Sequence, residues 1–302
     1  MGIAVHRLRA RPDTVTIVVG LGLLGNAIAK RIAFLGEPVD VTGYRDFSWN
    51  SSESILGEIQ KAIRTADREN MEVIWSAGIS GFSGSNRDME EEFNLFANVV
   101  DCLHREYGKR FTLNLLSSAG GVYEDRRNVT DVGHIAPLRP YGFWKLQQEY
   151  FLTDRGVSNR IYRLASVYGA TSSKERQGLI DVLIRNARSD ANTLVYVSPN
   201  TLRDYILNTD VARIICEDII HNNRPTVQIL GSGRGTSVNM LINMISRVIG
   251  RRVKATYVPI KDDSRDILFS REVLPRASRI TSLEEGILLG SRGYLKNEYF
   301  VY

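Results

Sequence analysis

The sequence predicts an α/β fold, a doubly wound parallel sheet followed by a smaller carboxy-terminal lobe. Three observations carry this expectation. Short apolar strand-like runs alternate with amphipathic helical stretches through the first 170 residues, and a glycine-rich turn directly follows the run Thr14–Val19. Beyond Gly169 the pattern loosens into Gly, Ser, Thr and charged residues before βα-like segments resume. On this reading residues 1–170 form the first domain, residues 203–222 return to it, and residues 171–302 form mainly the second lobe.

The elements follow in order. Strand Thr14–Val19 runs into a helix over Gly25–Leu35, then strand Pro38–Val41. A helix begins near Ser52, its expected N-cap, because Ile55, Leu56, Ile59, Ala62, Ile63 and Ala66 recur at helical spacing. Strand Met71–Trp75, helix Met89–Leu103, strand Phe111–Leu116, helix Tyr141–Leu152 and strand Ile161–Leu164 continue the series. After the loose segment come helix Leu179–Ala187, strand Thr226–Leu230, helix Ser237–Ile249, strand Lys254–Val258 and a final helix opened by the capping box Ser282-Leu283-Glu284-Glu285. The first thirteen residues, with three arginines and a histidine and no h-region after them, read as a frayed basic tail rather than a signal peptide.

Composition narrows the function classes. A chain of 302 residues with 43% hydrophobic content buries a sizeable core, and no apolar run approaches the 18 or more residues that a membrane span needs. The net charge of +5 is spread out, with pairs such as Arg126-Arg127 and Arg251-Arg252 in place of a basic stripe interleaved with aromatics, which argues against nucleic-acid binding. Cys102 and Cys216 sit in helix-like apolar patterns and read as buried free thiols. No metal site is expected, and the chain is expected to be cytoplasmic.

The turn Gly20-Leu21-Gly22-Leu23-Leu24-Gly25 is the GxGxxG fingerprint in the strand–turn–helix context that it requires. Gly20 permits the tight turn, Gly22 lets the backbone approach a pyrophosphate, and Gly25 lets helix and strand pack closely, so a dinucleotide can sit on the helix N-terminus. At the end of the second strand, where an NAD site carries an acid, Asp40 falls slightly early and is followed by Gly43, Tyr44 and Arg45. Arg45 could grip a ribose 2′-phosphate bidentately, which leans towards NADP over NAD; a solvated surface role is the alternative.

Tyr141 and Lys145 lie four residues apart, on one face of a helix. A phenol titrating near ~10 is a poor acid/base at neutral pH, and a cation held beside it favours the phenolate. Ser117 and Ser118 end a parallel strand at the edge where doubly wound sheets bind ligands, so one of them is expected to hydrogen-bond the reacting oxygen.

Glycine turn, serine pair and Tyr-x-x-x-Lys, in this chain order, resemble an extended short-chain dehydrogenase/reductase of the NAD(P)-dependent nucleotide-sugar epimerase/dehydratase family, with a Rossmann-type first domain and a substrate-binding second lobe. The resemblance extends from about Thr14 to Gly290. It implies that Tyr141 is the catalytic acid/base, that Lys145 holds the nicotinamide ribose, that Ser118 (or Ser117) orients the substrate oxygen, and that Ser76, Ala77 and Gly78 lie beside the cofactor. Arg163–Gly169 resembles the family's substrate-edge strand, with Ser166 where asparagine is usual, and Arg203-Asp204-Tyr205-Ile206 resembles the segment whose arginine contacts the substrate diphosphate. A salt bridge from Arg203 to Asp204 or Asp210 is the alternative reading. Ala119 and Gly120 replace the acidic pair of the dehydratases, which leaves a sugar 4-epimerase or 4-ketoreductase. The competing class is a non-catalytic NADP-binding sensor or scaffold. Relatives of this kind imply a homodimer.

Overall fold

The computed structural model describes residues 2–40, 51–66, 70–78, 81, 84–169, 178–223, 227–258, 260–275 and 279–292. Its strands are β1 (Ile3–Leu8), β2 (Thr14–Val19), β3 (Gly36–Asp40), β4 (Asn70–Trp75), β5 (Phe111–Ser118), β6 (Arg126–Val129), β7 (Ser158–Leu164), β8 (Ser166–Tyr168), β9 (Asn192–Val195), β10 (Leu202–Leu207), β11 (Val227–Leu230), β12 (Gly235–Ser237), β13 (Lys254–Tyr257) and β14 (Ile267–Phe269). The helices are α1 (Leu23–Leu35), α2 (Ser52–Ala66), α3 (Asn86–Tyr107), α4 (Ala119–Val122), α5 (Pro140–Asp154), α6 (Leu179–Arg188), α7 (Asn208–Ile220), α8 (Val238–Ile249) and α9 (Leu283–Arg292). They gather into two compact units. The first comprises Met1–Val122, Pro137–Arg163 and Ala212–Gln228; the second comprises Tyr123–Ala136, Leu164–Val211 and Ile229–Tyr302.

The first unit is built on a seven-stranded sheet of order β11-β7-β5-β4-β2-β1-β3. β2, β4 and β5 are parallel neighbours, in register from Val15 to Met71 and from Met71 to Phe111. One sheet face carries Val15, Ile17, Val19, Val73, Trp75, Leu113 and Leu115, packed against Ile55, Ile59 and Ile63 of α2 and Phe96, Val99 and Leu103 of α3. Each such side chain stabilises the fold by about 1.5–3 kcal/mol when fully buried.

The amino-terminal segment departs from expectation. It is not a frayed tail but strand β1, antiparallel to both β2 and β3 and wedged between them. Ile3, Val5 and Leu8 are buried. Its basic residues hide this, because a long arginine stem allows the strand to be buried while the guanidinium reaches backbone oxygens: Arg7 donates to Ala66 O at 3.5 Å, and Arg11 to Ile219 O at 3.0 Å. The sheet is therefore mixed on this side, and β3 is parallel to β2 without touching it.

Two helix starts also differ. The N-cap of α2 is Ser51, whose Oγ accepts from Ser54 N–H at 3.2 Å, in place of Ser52. Helix α3 is longer than Met89–Leu103 at both ends, opened by a reciprocal capping box between Ser85 and Asp88. Towards the amino-terminal ends of β4 and β7, Arg160 is fully buried, paired with Glu72 at 2.8 Å and bonded to Asn114 at 3.2 Å.

The second unit holds a sheet of order β12-β10-β14-β6, with β8 pairing β10, and a separate parallel pair, β13 and β9. Its core joins Ile180, Leu183 and Ile184 of α6 to Leu241 and Ile245 of α8 and Ile287 of α9, around Tyr168 and Leu207. Strands β6, β8, β9, β12 and β14, of three or four residues each, are too short for periodicity to reveal. Among the described residues, no helix is long and apolar enough to cross a membrane.

His6 of β1 lies opposite Thr16 of β2, and the His6 Nδ1 and Thr16 Oγ1 atoms are buried without a hydrogen-bond partner. Burial holds the imidazole pKa below its usual value. An unfolded histidine takes up a proton near ~6.5, so the native state falls behind as pH drops below that point and stability is lost towards acid. Thermal midpoints of the unmutated chain and His6→Leu are expected to diverge from pH 7 to pH 5, the unmutated chain losing more; parallel curves would refute the assignment.

Candidate functional site

The glycine turn lies where β2 ends. Gly20 sits at φ +94°, and a Cβ there would lie 2.6 Å from the backbone of Ala77. A Cβ on Gly25 would overlap Gly20 O, so α1 leaves the turn at a distance that only glycine permits. Gly22 is the N-cap of α1, with open space where its Cβ would be. No side chain caps this helix and its first turn holds no acid, so the positive end of its dipole, flanked by Leu23 and Leu24, is set for an anion.

Two side chains brace the turn from behind. Ser76 Oγ donates to Gly20 O and lies 3.1 Å from Val19 O, while Asn26 Nδ2 donates to Leu21 O at 2.7 Å. Ser76, Ala77 and Gly78 thus lie against the glycine turn, with the Ser76 hydroxyl facing its carbonyls. Tyr44 and Arg45 fall outside the described residues.

Proline at the first position of α5 presets the helix at Tyr141. Lys145 follows one turn later, its Nζ 6.0 Å from the centre of the Tyr141 ring. The ammonium is buried, donates to Gln148 Oε1 at 3.3 Å and lies 3.6 Å from Glu92 Oε1 of α3. The same carboxylate oxygen lies 3.3 Å from where a Cβ on Gly78 would sit. A continuous set of neighbours therefore leads from Gly20 through Ala77, Gly78, Glu92 and Lys145 to Tyr141.

The serine pair splits. Successive residues of a strand face opposite ways, and Ser117 turns inward, donating to Glu149 Oε1 at 2.5 Å. Glu149 is itself gripped by Arg163, at 3.1 Å from Nε and 2.6 Å from Nη2, all three residues being buried. Ser118 instead accepts from Gly121 N–H at 3.0 Å. A Cβ on Gly121 would lie 3.0 Å from Tyr141 Cδ1, and one on Gly142 would overlap Gly121 O. The backbones of α4 and α5 thus touch through two glycines, which brings the Ser118 turn against the Tyr141 ring.

In the second unit, Ser166 and Arg203 line one cavity of about 240 Å³ with Tyr168, Thr201, Tyr205 and Val238. Arg203 donates to Asp263 O at 2.9 Å and Leu202 O at 3.3 Å. Asp204 is engaged by the N–H groups of Ser232 and Gly233, and Asp210 by Thr281 N–H. Burial raises the pKa of Tyr168 and pushes Tyr205 up to about 12, so both stay neutral phenols. An open depression of about 480 Å³, lined by Arg126, Arg127, Thr130 and His134 among others, contains no residue singled out from the sequence as a site residue.

Glu92, Asn26, Gly121, Gly142 and the Glu149–Arg163 pair escaped the sequence reading. Only Glu149 left a signal, since it lies four and eight residues beyond Lys145 and Tyr141 on the same helix face.

Parallel strands β2, β4 and β5 covered by helices, with β2 ending in this glycine turn, Ser118 ending β5 and Tyr141 and Lys145 beside it on α5, define a Rossmann-type α/β protein. Residues 16–229 match the NAD dependent epimerase/dehydratase family, and the chain belongs to it. A protein of Methanocaldococcus jannaschii with a provisional assignment as a UDP-glucose 4-epimerase is 32% identical over 148 residues, or 47% of this chain and 48% of its own. The chain thus spans about half the length of that curated relative. UDP-glucose 4-epimerase of Thermus thermophilus, solved in complex with NAD, superposes with a TM-score of 0.75 at 18% identity, covering 92% of this chain and 97% of that one. The Brucella ovis enzyme of that name, also with NAD, gives 0.74 at 21% identity over 94% and 98%. That of Thermotoga maritima with UDP-glucose gives 0.72 at 20% over 92% and 97%. At these identities the likeness is one of fold.

The glycine geometry yields a contrast. Gly25→Ala is expected to cost about 1–3 kcal/mol by forcing its methyl group into Gly20 O, whereas Gly22→Ala, in open space, should cost less than about 1 kcal/mol. Thermal melts of the two variants check this.

Proposed function

We propose that the chain is an NAD(P)-dependent enzyme that inverts C4 of a nucleotide-activated sugar. The observation that carries this is the unbroken line of neighbours from the glycine turn to Tyr141, with Ser118 brought to the same ring through Gly121. The uncapped start of α1 and the open side of Gly22 fit a pyrophosphate. A nicotinamide dinucleotide bound there supplies the reversible hydride acceptor that oxidation of a sugar carbon needs.

The chain's own groups do the rest. The Tyr141 oxygen takes the proton of the sugar hydroxyl as its carbon is oxidised and returns it after the keto sugar has turned over. Lys145 places positive charge beside that ring while the oxygen is negative. Ser118 donates to the sugar oxygen and fixes its direction. Arg203, at the cavity of the second unit, takes the diphosphate by charge-assisted bonds, and Ser166 lines the same cavity. Ser117 serves the Glu149–Arg163 tie instead of the reaction. The absence of an acidic pair at Ala119 and Gly120 favours epimerisation over dehydration.

Both NAD and NADP remain candidates as the cofactor. Exposed Phe143 and Tyr150 on α5, the former against Trp144, support pairing of α3 and α5 between two copies of the chain, to be checked by sedimentation.

Conversion of UDP-glucose to its 4-epimer, without consumption of added NADPH, is the expected activity. Stoichiometric NADPH consumption would mark a ketoreductase. Tyr141→Phe should lower turnover by about 10²–10⁴-fold while leaving dinucleotide affinity within a few-fold, and unchanged turnover would remove Tyr141 from the mechanism. Arg203→Ala should weaken UDP binding by about tenfold or more, the loss of one charge-assisted contact, as calorimetry would read.

A further inference from the structure

Lys145 is balanced by a residue outside the Tyr-x-x-x-Lys motif. Glu92 approaches it from α3, with Oε1 3.6 Å from Nζ, and each side chain is only 9% exposed. The carboxylate stands between Gly78, at the end of β4, and α5, so it joins three elements at one point. An ammonium has three N–H donors. One goes to Gln148 Oε1 at 3.3 Å, while at 3.6 Å the carboxylate attracts the cation without taking a hydrogen bond.

We infer that Glu92 is a positioning residue for Lys145, holding its ammonium in place and offsetting the cost of burying its charge, so that the remaining donors meet a neutral diol while the cation still faces the Tyr141 ring. Left unpaired, a buried cation recruits phosphate or carboxylate oxygens from solution; with Glu92 beside it the ammonium is already balanced and keeps its donors for neutral hydroxyls. Ribose offers a neutral pair of hydroxyls, and the flexible lysine stem would otherwise sample many rotamers before meeting them. The inference rests on the dinucleotide reading proposed above.

The test is NAD titration by calorimetry of the unmutated chain, Glu92→Gln, Glu92→Asp, Lys145→Ala and the double variant Glu92→Gln/Lys145→Ala, each with its unliganded thermal midpoint. Glu92→Gln is expected to weaken NAD about tenfold and to make binding sensitive to inorganic phosphate, while Glu92→Asp, which keeps the charge, stays within about threefold. Without Lys145, Glu92→Gln should change NAD affinity less than about twofold. Equal losses with and without Lys145, or no loss in either, overturn the positioning role while NAD binding stands. If the unmutated chain binds neither NAD nor NADP, the functional reading falls first and this inference with it.

Discussion

Close backbone approach at two pairs of glycines is the constraint on which the candidate site depends. Gly20 and Gly25 let β2 pass into α1 with the helix end almost touching the turn, and Gly121 and Gly142 let α4 lie directly on the start of α5. A methyl group at Gly25 or Gly142 would meet a carbonyl oxygen, and one at Gly121 would crowd the Tyr141 ring. The first pair opens a helix N-terminus, and the second holds a serine turn against a phenol. The side chains of the candidate site are thus placed by residues that have none, as close-packed interiors require.

Buried charge is organised in the same unit by pairing. Glu149 and Arg163 tie α5 to β7 and hold Ser117 to them, while Glu72 and Arg160 do the equivalent for β4 and β7 at the other end of the strands. Each carboxylate meets a guanidinium or ammonium at short range, and the penalty for leaving one alone would be several kcal/mol, about 3–5 by general experience. Ser117 shows the division of labour: it is adjacent in sequence to Ser118, yet a one-residue step along β5 sends it into the core.

Much of the first unit was legible in the sequence. The run Thr14–Val19, the glycine turn, α2 and the strands at Met71 and Phe111 announce themselves because strand and helix periods differ and the turn needs glycine at fixed positions. The identity of the family was legible too, from motifs that are local in sequence. What could not be read was pairing at a distance. β1 is disguised by the basic residues in and just after it, of which Arg7 reaches out of the strand to Ala66 O, and the acidic run Glu90-Glu91-Glu92 reads as a solvated face although Glu92 turns in towards Lys145. Nor does sequence distinguish Ser117 from Ser118, since the choice depends on which face of β5 meets α5. The short strands of the second unit stayed hidden because three or four residues hold too little pattern.

The placement of β1 has a practical side. Gly2 O accepts from Gly20 N–H at 3.0 Å, so the strand begins beside the glycine turn and runs away from it. Whatever is joined ahead of Gly2, whether an affinity tag, a fluorophore or a fused domain, emerges at the mouth of the nucleotide cradle instead of on a remote surface. Labels attached at that end would report on, and interfere with, whatever enters there.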